Sequence, residues 1–406
     1  MMRLFIAVAC AGFLLAQTSP APAHRAPVED AWDLLAKGNR QEAIRLLHDI
    51  IRTHPGDADA RLLLGSVLSE DGDRSESIAQ LSEAARLRPR SAEAHNALGE
   101  AYSNFAETKE ARAEFEKAVA VDPRFAQAQV NLGLILLEAG EARAAAEHLD
   151  RAIQVLGETP DAAYPRYLRA KVYMEQNQVD KAAAQLKDAV SLRPDFAEAW
   201  SDLGQARKTL LDDAGALAAF ERAVELQPQD DVAQYRLGAE YLEQGNTHFA
   251  VVHLRKAFSL NPENQSTLYS LQLALREDGQ PEQAAAVKQK LEQLLRQRDT
   301  ASQNALRAVQ LNNQGTELQK AGNLRGALEK YRAALGLYPE HVGIRVNYAV
   351  ALLRLGLWSE GISELREAVR RKPDNPVLKQ ALADALAQAP AKSAGHSPNA
   401  LPVPPH

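Results

Sequence analysis

Cys10 is the only cysteine in 406 residues. A disulfide within the chain is therefore excluded, and so is a thiolate metal cluster. Aromatic residues are scarce, at 5%. Basic residues number 47 against 53 acidic ones, a net charge of −6. No lysine–arginine block is present to track a phosphate backbone, which argues against nucleic acid as a partner. Long apolar runs are missing too. The longest, Leu4–Ala16, has 13 residues, short of the roughly 20 a spanning helix needs. No stable membrane span is expected after it. Catalytic signatures are equally absent: there is no P-loop, no nucleophile elbow and no HExxH pair. No catalytic residue, cofactor site or metal site is assigned, and the chain reads as a non-enzyme. His248 and His253 are five apart, and five residues turn a helix by about 500°, so their rings diverge. The acidic stretch LSEDGDRSES lacks the spacing of a calcium loop.

What is present begins at the N-terminus. Arg3, the apolar run and the small residues Ala21-Pro22-Ala23 have the layout of a secretory signal peptide, residues 1–23. The expectation is an exported chain, periplasmic or secreted, that loses Cys10 on cleavage. A second reading lipidates Cys10 behind Ala7-Val8-Ala9 and anchors the chain to a membrane.

The body is periodic. Pro55, Pro89 and Pro123 lie 34 apart, as do Pro194, Pro228 and Pro262, and again Pro339 and Pro373. A fixed period of this size marks a stack of small units. Counting place 1 as the third residue after each proline, place 8 holds Gly65, Gly99, Gly133, Ala170, Gly204, Gly238, Gly315 and Ala349. Place 20 is small, place 24 is large and apolar (Leu81, Phe115, Phe220, Tyr331), and place 27 is alanine. Spacings of three and four keep these on one helical face. A turn falls mid-unit, as in LLEAGEARAA, and the proline ends the second helix.

At these residues the chain resembles the tetratricopeptide repeat family, whose pattern is W-x2-L-G-x2-Y, A-x3-F, A and P on 34 residues. AEAWSDLG supplies Trp200, Leu203 and Gly204, followed by Ala216, Phe220, Ala223 and Pro228; Arg207 stands where the family has tyrosine. The resemblance covers residues 28–388. It implies an all-α, right-handed α-solenoid of about ten helix-turn-helix units with a C-terminal capping helix. The expected organisation is 24–296 as a first block of units 1–8 and 297–388 as units 9–10 with the cap. A disordered Pro/Ala-rich tail, 389–406, follows. Near the joint, two lengthened helices are expected, the second capped at Asp299 or Thr300.

The resemblance also places the binding surface. The first helix of each unit lines a concave groove in this family, and asparagine at place 6 often holds a peptide backbone. Here place 6 gives a broken polar row, Asn131, Asp202, Arg236, Ser270, Asn313 and Asn347, of which all but Ser270 are taken as candidates. Tyr164, Tyr167, Tyr235 and Tyr269 stand at places 2 or 5. These nine residues are the candidates for binding a protein or extended peptide. The family's clamp for acidic chaperone tails is absent: Asn312, Thr316 and Asn347 are followed by Val377 and Ala381, without its lysines. The alternatives are an assembly component of an envelope secretion or polysaccharide system, or an accessory to a glycosyltransferase-type enzyme. Partner identity and oligomeric state are not legible at this level.

Overall fold

The computed structural model describes residues 25–390 apart from 374. The expected signal segment with Cys10, and the tail from residue 391, lie outside them. The described residues form twenty α-helices and one short 3-10 turn, with no strand. The chain divides into two compact bodies between Leu260 and Asn261. The first holds α1 (Arg25–Ala36), α2 (Arg40–Thr53), α3 (Ala58–Asp71), α4 (Arg74–Leu87), α5 (Ala92–Asn104), α6 (Thr108–Val121) and α7 (Ala126–Glu138). It continues with α8 (Ala142–Leu156), α9 (Ala163–Glu175), α10 (Val179–Leu192), α11 (Ala197–Thr209), α12 (Asp213–Leu226), α13 (Asp231–Glu243) and α14 (Thr247–Leu260). The second holds α15 (Gln265–Glu277), α16 (Pro281–Lys320), α17 (Leu324–Leu337), α18 (Val342–Arg354), α19 (Trp358–Arg371) and the cap α20 (Pro376–Gln388).

Each hairpin turns at the same place. Place 15 is left-handed in all ten units: glycine in seven, and Ala106, Asn177 and Leu211 in the others. Glycine takes that conformation without a Cβ penalty. Leu211, at φ +61° and 86% exposed, takes it with neither that freedom nor a packing reward.

Within a hairpin, the side chain at place 24 enters a socket that the place-8 glycine leaves open. A Cβ built on Gly99 would lie 2.6 Å from Phe115, and one on Gly315 would lie 2.7 Å from Tyr331. The large residue was expected to fill the space between units. It first closes its own hairpin, then reaches the next, as Phe220 does in packing with Leu237. Ser77, at a place otherwise alanine or glycine, is fully buried and donates to Gly65 O at 2.7 Å.

In the first body, first helices of neighbouring units touch (α3 with α5, α5 with α7, α7 with α9), while each second helix packs mainly on the first helices beside it. The first helices therefore lie on the inside of the curve. The three residues added to the fourth unit form a loop at Gly157 and a 3-10 turn, Pro160–Ala162.

The expectation of two helices near 280–310 is overturned. One 40-residue helix, α16, serves as the second helix of unit eight and the first of unit nine. Asp299 and Thr300 lie inside it, and the Thr300 hydroxyl donates to Arg296 O at 2.8 Å, four residues back. The physical reason is compositional. Residues 282–314 contain neither glycine nor proline, so nothing stops the ladder. The expected block boundary at 296/297 falls within this helix.

Candidate functional site

A polar row crosses the inner helices by a repeated geometry. The place-6 side chain of one unit meets place 5 of the unit before. Asn131 Nδ2 on α7 donates to Asn96 Oδ1 at 3.0 Å and to Glu100 Oε1 at 2.9 Å, both on α5. Asn96 Nδ2 also donates to Glu100 Oε1, at 3.0 Å. On α13, Arg236 Nη1 donates to Ser201 Oγ at 2.7 Å and to Asp202 Oδ1 at 2.9 Å, both on α11. In the second body, Asn347 Nδ2 on α18 donates to Asn312 Oδ1 on α16 at 2.9 Å. The amide hydrogens of Asn131 and Asn347 are thus engaged inside the chain. Glu100 titrates above the ordinary carboxylate range, because burial disfavours its charge more than the two asparagine amides favour it.

Between the Asn131 and Arg236 pairs of the first body lies an aromatic ledge. Tyr164 and Tyr167, one helical turn apart on α9, stack at 6.2 Å and 25°. Phe196, just before α11, closes on Tyr167 at 4.9 Å. Burial raises both phenols, and the Asp202 carboxylate raises Tyr167 further. Lys171 Nζ sits 5.1 Å from the Tyr167 ring centre and 3.7 Å from Asp202 Oδ2. A chain of contacts therefore runs from Tyr164 through Tyr167, Lys171 and Asp202 to Arg236, crossing three first helices. Separately, Lys208 on α11 reaches Glu240 at 3.1 Å and Glu243 at 2.6 Å on α13. Burial lowers the Lys208 pKa, but the hydrogen bonds to Glu243 and Glu240 outweigh it and raise the group overall.

The nine candidates divide accordingly. Asn131, Tyr164, Tyr167, Asp202 and Arg236 lie along the inner helices of the first body, and Tyr235 lies half-buried on α13 beside Arg236. Tyr269, Asn313 and Asn347 belong to the second body, where Tyr269 is 63% exposed. It is Asn312, not the exposed Asn313, that pairs with Asn347.

Residue-type reading missed Asn96, Glu100, Lys171 and Ser201. For Asn96 and Ser201 the signal was a polar residue at place 5, thirty-five positions before Asn131 and Arg236, and Glu100 and Lys171 share place 9 of their units. It also missed a structural staple. At place 4, Trp200, Gln129, Gln234, Arg61 and Arg345 each donate to the carbonyl of the proline six residues earlier. The same place meets place 23 of its own hairpin in five units, among them Gln129 with His148 at 2.6 Å and Gln234 with His253 at 2.9 Å. His253 also stacks on Tyr241 at 5.6 Å, so it is a packing residue.

Family models described as tetratricopeptide repeat match residues 34–101, 105–163, 197–230, 232–264 and 312–376, and one described as TPR repeat matches 170–210. Together they span more than half of the chain. No curated protein matches it. Among solved structures, Pseudomonas aeruginosa pilF is similar at 20% identity, covering 52% of this chain and 95% of that one, with a TM-score of 0.49. A repeat protein from Parabacteroides merdae is 16% identical over 62% of this chain and 98% of its own, at 0.46. YrrB, described as having an unusual peptide-binding site, is 23% identical over 47% and 96%, at 0.40.

Proposed function

The chain belongs to the tetratricopeptide repeat family, and from that premise we propose that it is a non-catalytic scaffold holding an extended segment of a protein partner along the inner face of α5–α13. Proteins of this family bind proteins or peptides and are generally scaffolds. The observation that carries the groove reading is the continuous row Tyr164–Tyr167–Lys171–Asp202–Arg236, which offers stacked rings and polar side chains together across three helices. Tyrosine and arginine are enriched among residues that dominate binding energy, because each joins large contact area to a polar end. The scaffold works outside the cytoplasm. Support for this is the arrangement of Arg3, the apolar run and Ala21-Pro22-Ala23.

The test is affinity capture from the host with the full chain. Tyr235→Ala and Arg236→Ala should each weaken capture about thirtyfold, the equivalent of about 2 kcal/mol. Arg222→Ala on the outer helix α12 should not. The reverse pattern moves the site to the outer face. Mass spectrometry of the native protein should find a first residue near His24, and an intact Met1 in the cytosolic fraction removes the export reading.

A further inference from the structure

The inner surface of the first body is divided by charge. Helices α5 and α7 carry Glu93, Glu100 and Glu138, and no lysine or arginine. Among the described residues no cation lies within ion-pairing distance of these three, whereas the inner cations beyond the tyrosine ledge are all matched. Lys171 and Arg236 share Asp202, and Lys208 sits between Glu240 and Glu243. The two asparagine amides both bind Glu100 Oε1 and so fix the carboxylate's orientation on the groove floor. Its other oxygen has no partner among the described residues.

We infer that the segment held in this groove is cationic where it crosses α5 and α7, with a lysine or arginine side chain facing Glu100 and an adjoining apolar side chain lying on Tyr164 and Tyr167. This deepens the groove reading above and rests on it. Charge complementarity chooses the occupant. An acidic segment would meet three uncompensated carboxylates and find no free cation, while a basic one supplies the only charge the surface lacks. Desolvation works in the same direction. Glu100 holds its proton more tightly than an exposed carboxyl does, because burial disfavours its charge, and an approaching ammonium relieves that cost.

Three labelled decapeptides test this on the full chain. They are identical except for lysine, glutamine or glutamate placed four residues before a leucine–proline pair. At low salt the lysine peptide should bind about tenfold more tightly than the glutamate peptide, and the gap should shrink at 0.5 M salt. Glu100→Gln with Glu138→Gln should erase the lysine preference. Equal affinities, a glutamate preference, or a lysine preference that survives the double substitution overturns the inference. Failure of all three peptides to bind overturns it too. The groove reading falls separately, by the capture experiment with Tyr235→Ala and Arg236→Ala.

Discussion

Gly204 is the position where a single methyl group tests the hairpin packing most directly. A Cβ built on it would lie 2.6 Å from both Cδ1 and Cε1 of Phe220 and 3.0 Å from Cγ. The ring would have to retreat by about 0.8 Å to restore ordinary contact. Phe220 is 1% exposed, so it has no open side to move into. Overpacking of this kind costs about 1–3 kcal/mol. Removing a glycine from a helix interior returns about 1 kcal/mol. Gly204→Ala should therefore destabilise by up to about 2 kcal/mol, and Gly204→Leu by more. Gly336 in α17 supplies the control, since a Cβ there meets nothing within 4 Å. Gly336→Ala should stabilise by up to about 1 kcal/mol, so one substitution has opposite signs at two helical glycines. A stacked array opens in parts, so hydrogen exchange across α11 and α12 should accompany urea unfolding. Adding Phe220→Ala removes the ring, and the double variant should be less destabilised than the sum of the singles by about 0.5 kcal/mol or more. A stabilising Gly204→Ala, or strict additivity with Phe220→Ala, refutes the socket.

Leu211→Gly should raise the urea midpoint, by about 1 kcal/mol, because a left-handed conformation costs an L-residue roughly 1–2 kcal/mol and glycine's extra chain entropy takes back part of the gain; an unchanged or lower midpoint contradicts this. Burial lowers the pKa of His148 and of His253, so protonation favours the unfolded chain. Their stabilising contribution is full above the unfolded value of 6.5 and is lost as pH falls through the folded pKa. His48 runs the other way: its hydrogen bond to Glu76 raises its pKa, and its small, half-exposed contribution fades as pH rises. Gln80 stands at the same place in its own unit, so glutamine is the fitting replacement for both half-buried histidines. The double variant His148→Gln, His253→Gln should flatten the urea-midpoint profile between about pH 7 and 5, and an unaltered acid limb counts against the assignment. In α16, residues 295–303 are exposed on every side, whereas Ala308 and Gly315 are buried. Amides at 295–303 should exchange faster than those at 308–318, and uniform exchange along the helix is the contrary result.

The fold was legible because a period makes every place meet the same neighbours. Gly65, Gly99, Gly133, Gly204, Gly238 and Gly315 each face the place-24 side chain of their own hairpin, so one physical constraint is written six times. Where the pattern lapses, legibility lapses with it. Gln272 and Lys288 replace the socket and its plug in unit eight, and Lys288 remains exposed. Asp299 and Thr300 look like a helix start by residue type, but with no glycine or proline anywhere in 282–314 the ladder simply continues through them.

The site is less legible for a related reason. Trp200, Gln129, Gln234, Arg61 and Arg345 perform one task, donating to a proline carbonyl, yet they share neither size nor charge. Donation to a fixed carbonyl requires only an N–H at the right reach, so residue identity conceals the role and position alone shows it. The inner places behave in the opposite way. Places 5 and 6 keep their geometry from unit to unit, but their side chains change from Asn96 and Asn131 to Ser201 and Arg236. The scaffold does not dictate what stands there, so a partner can. The same logic separates Glu100 from Asp202. Both are inner carboxylates, but Asp202 is matched by Lys171 and Arg236 of the neighbouring first helices, whereas Glu100 receives only neutral amides. An ion pair closes its own account within the fold, while a carboxylate held by amides alone keeps its charge available to whatever enters the groove.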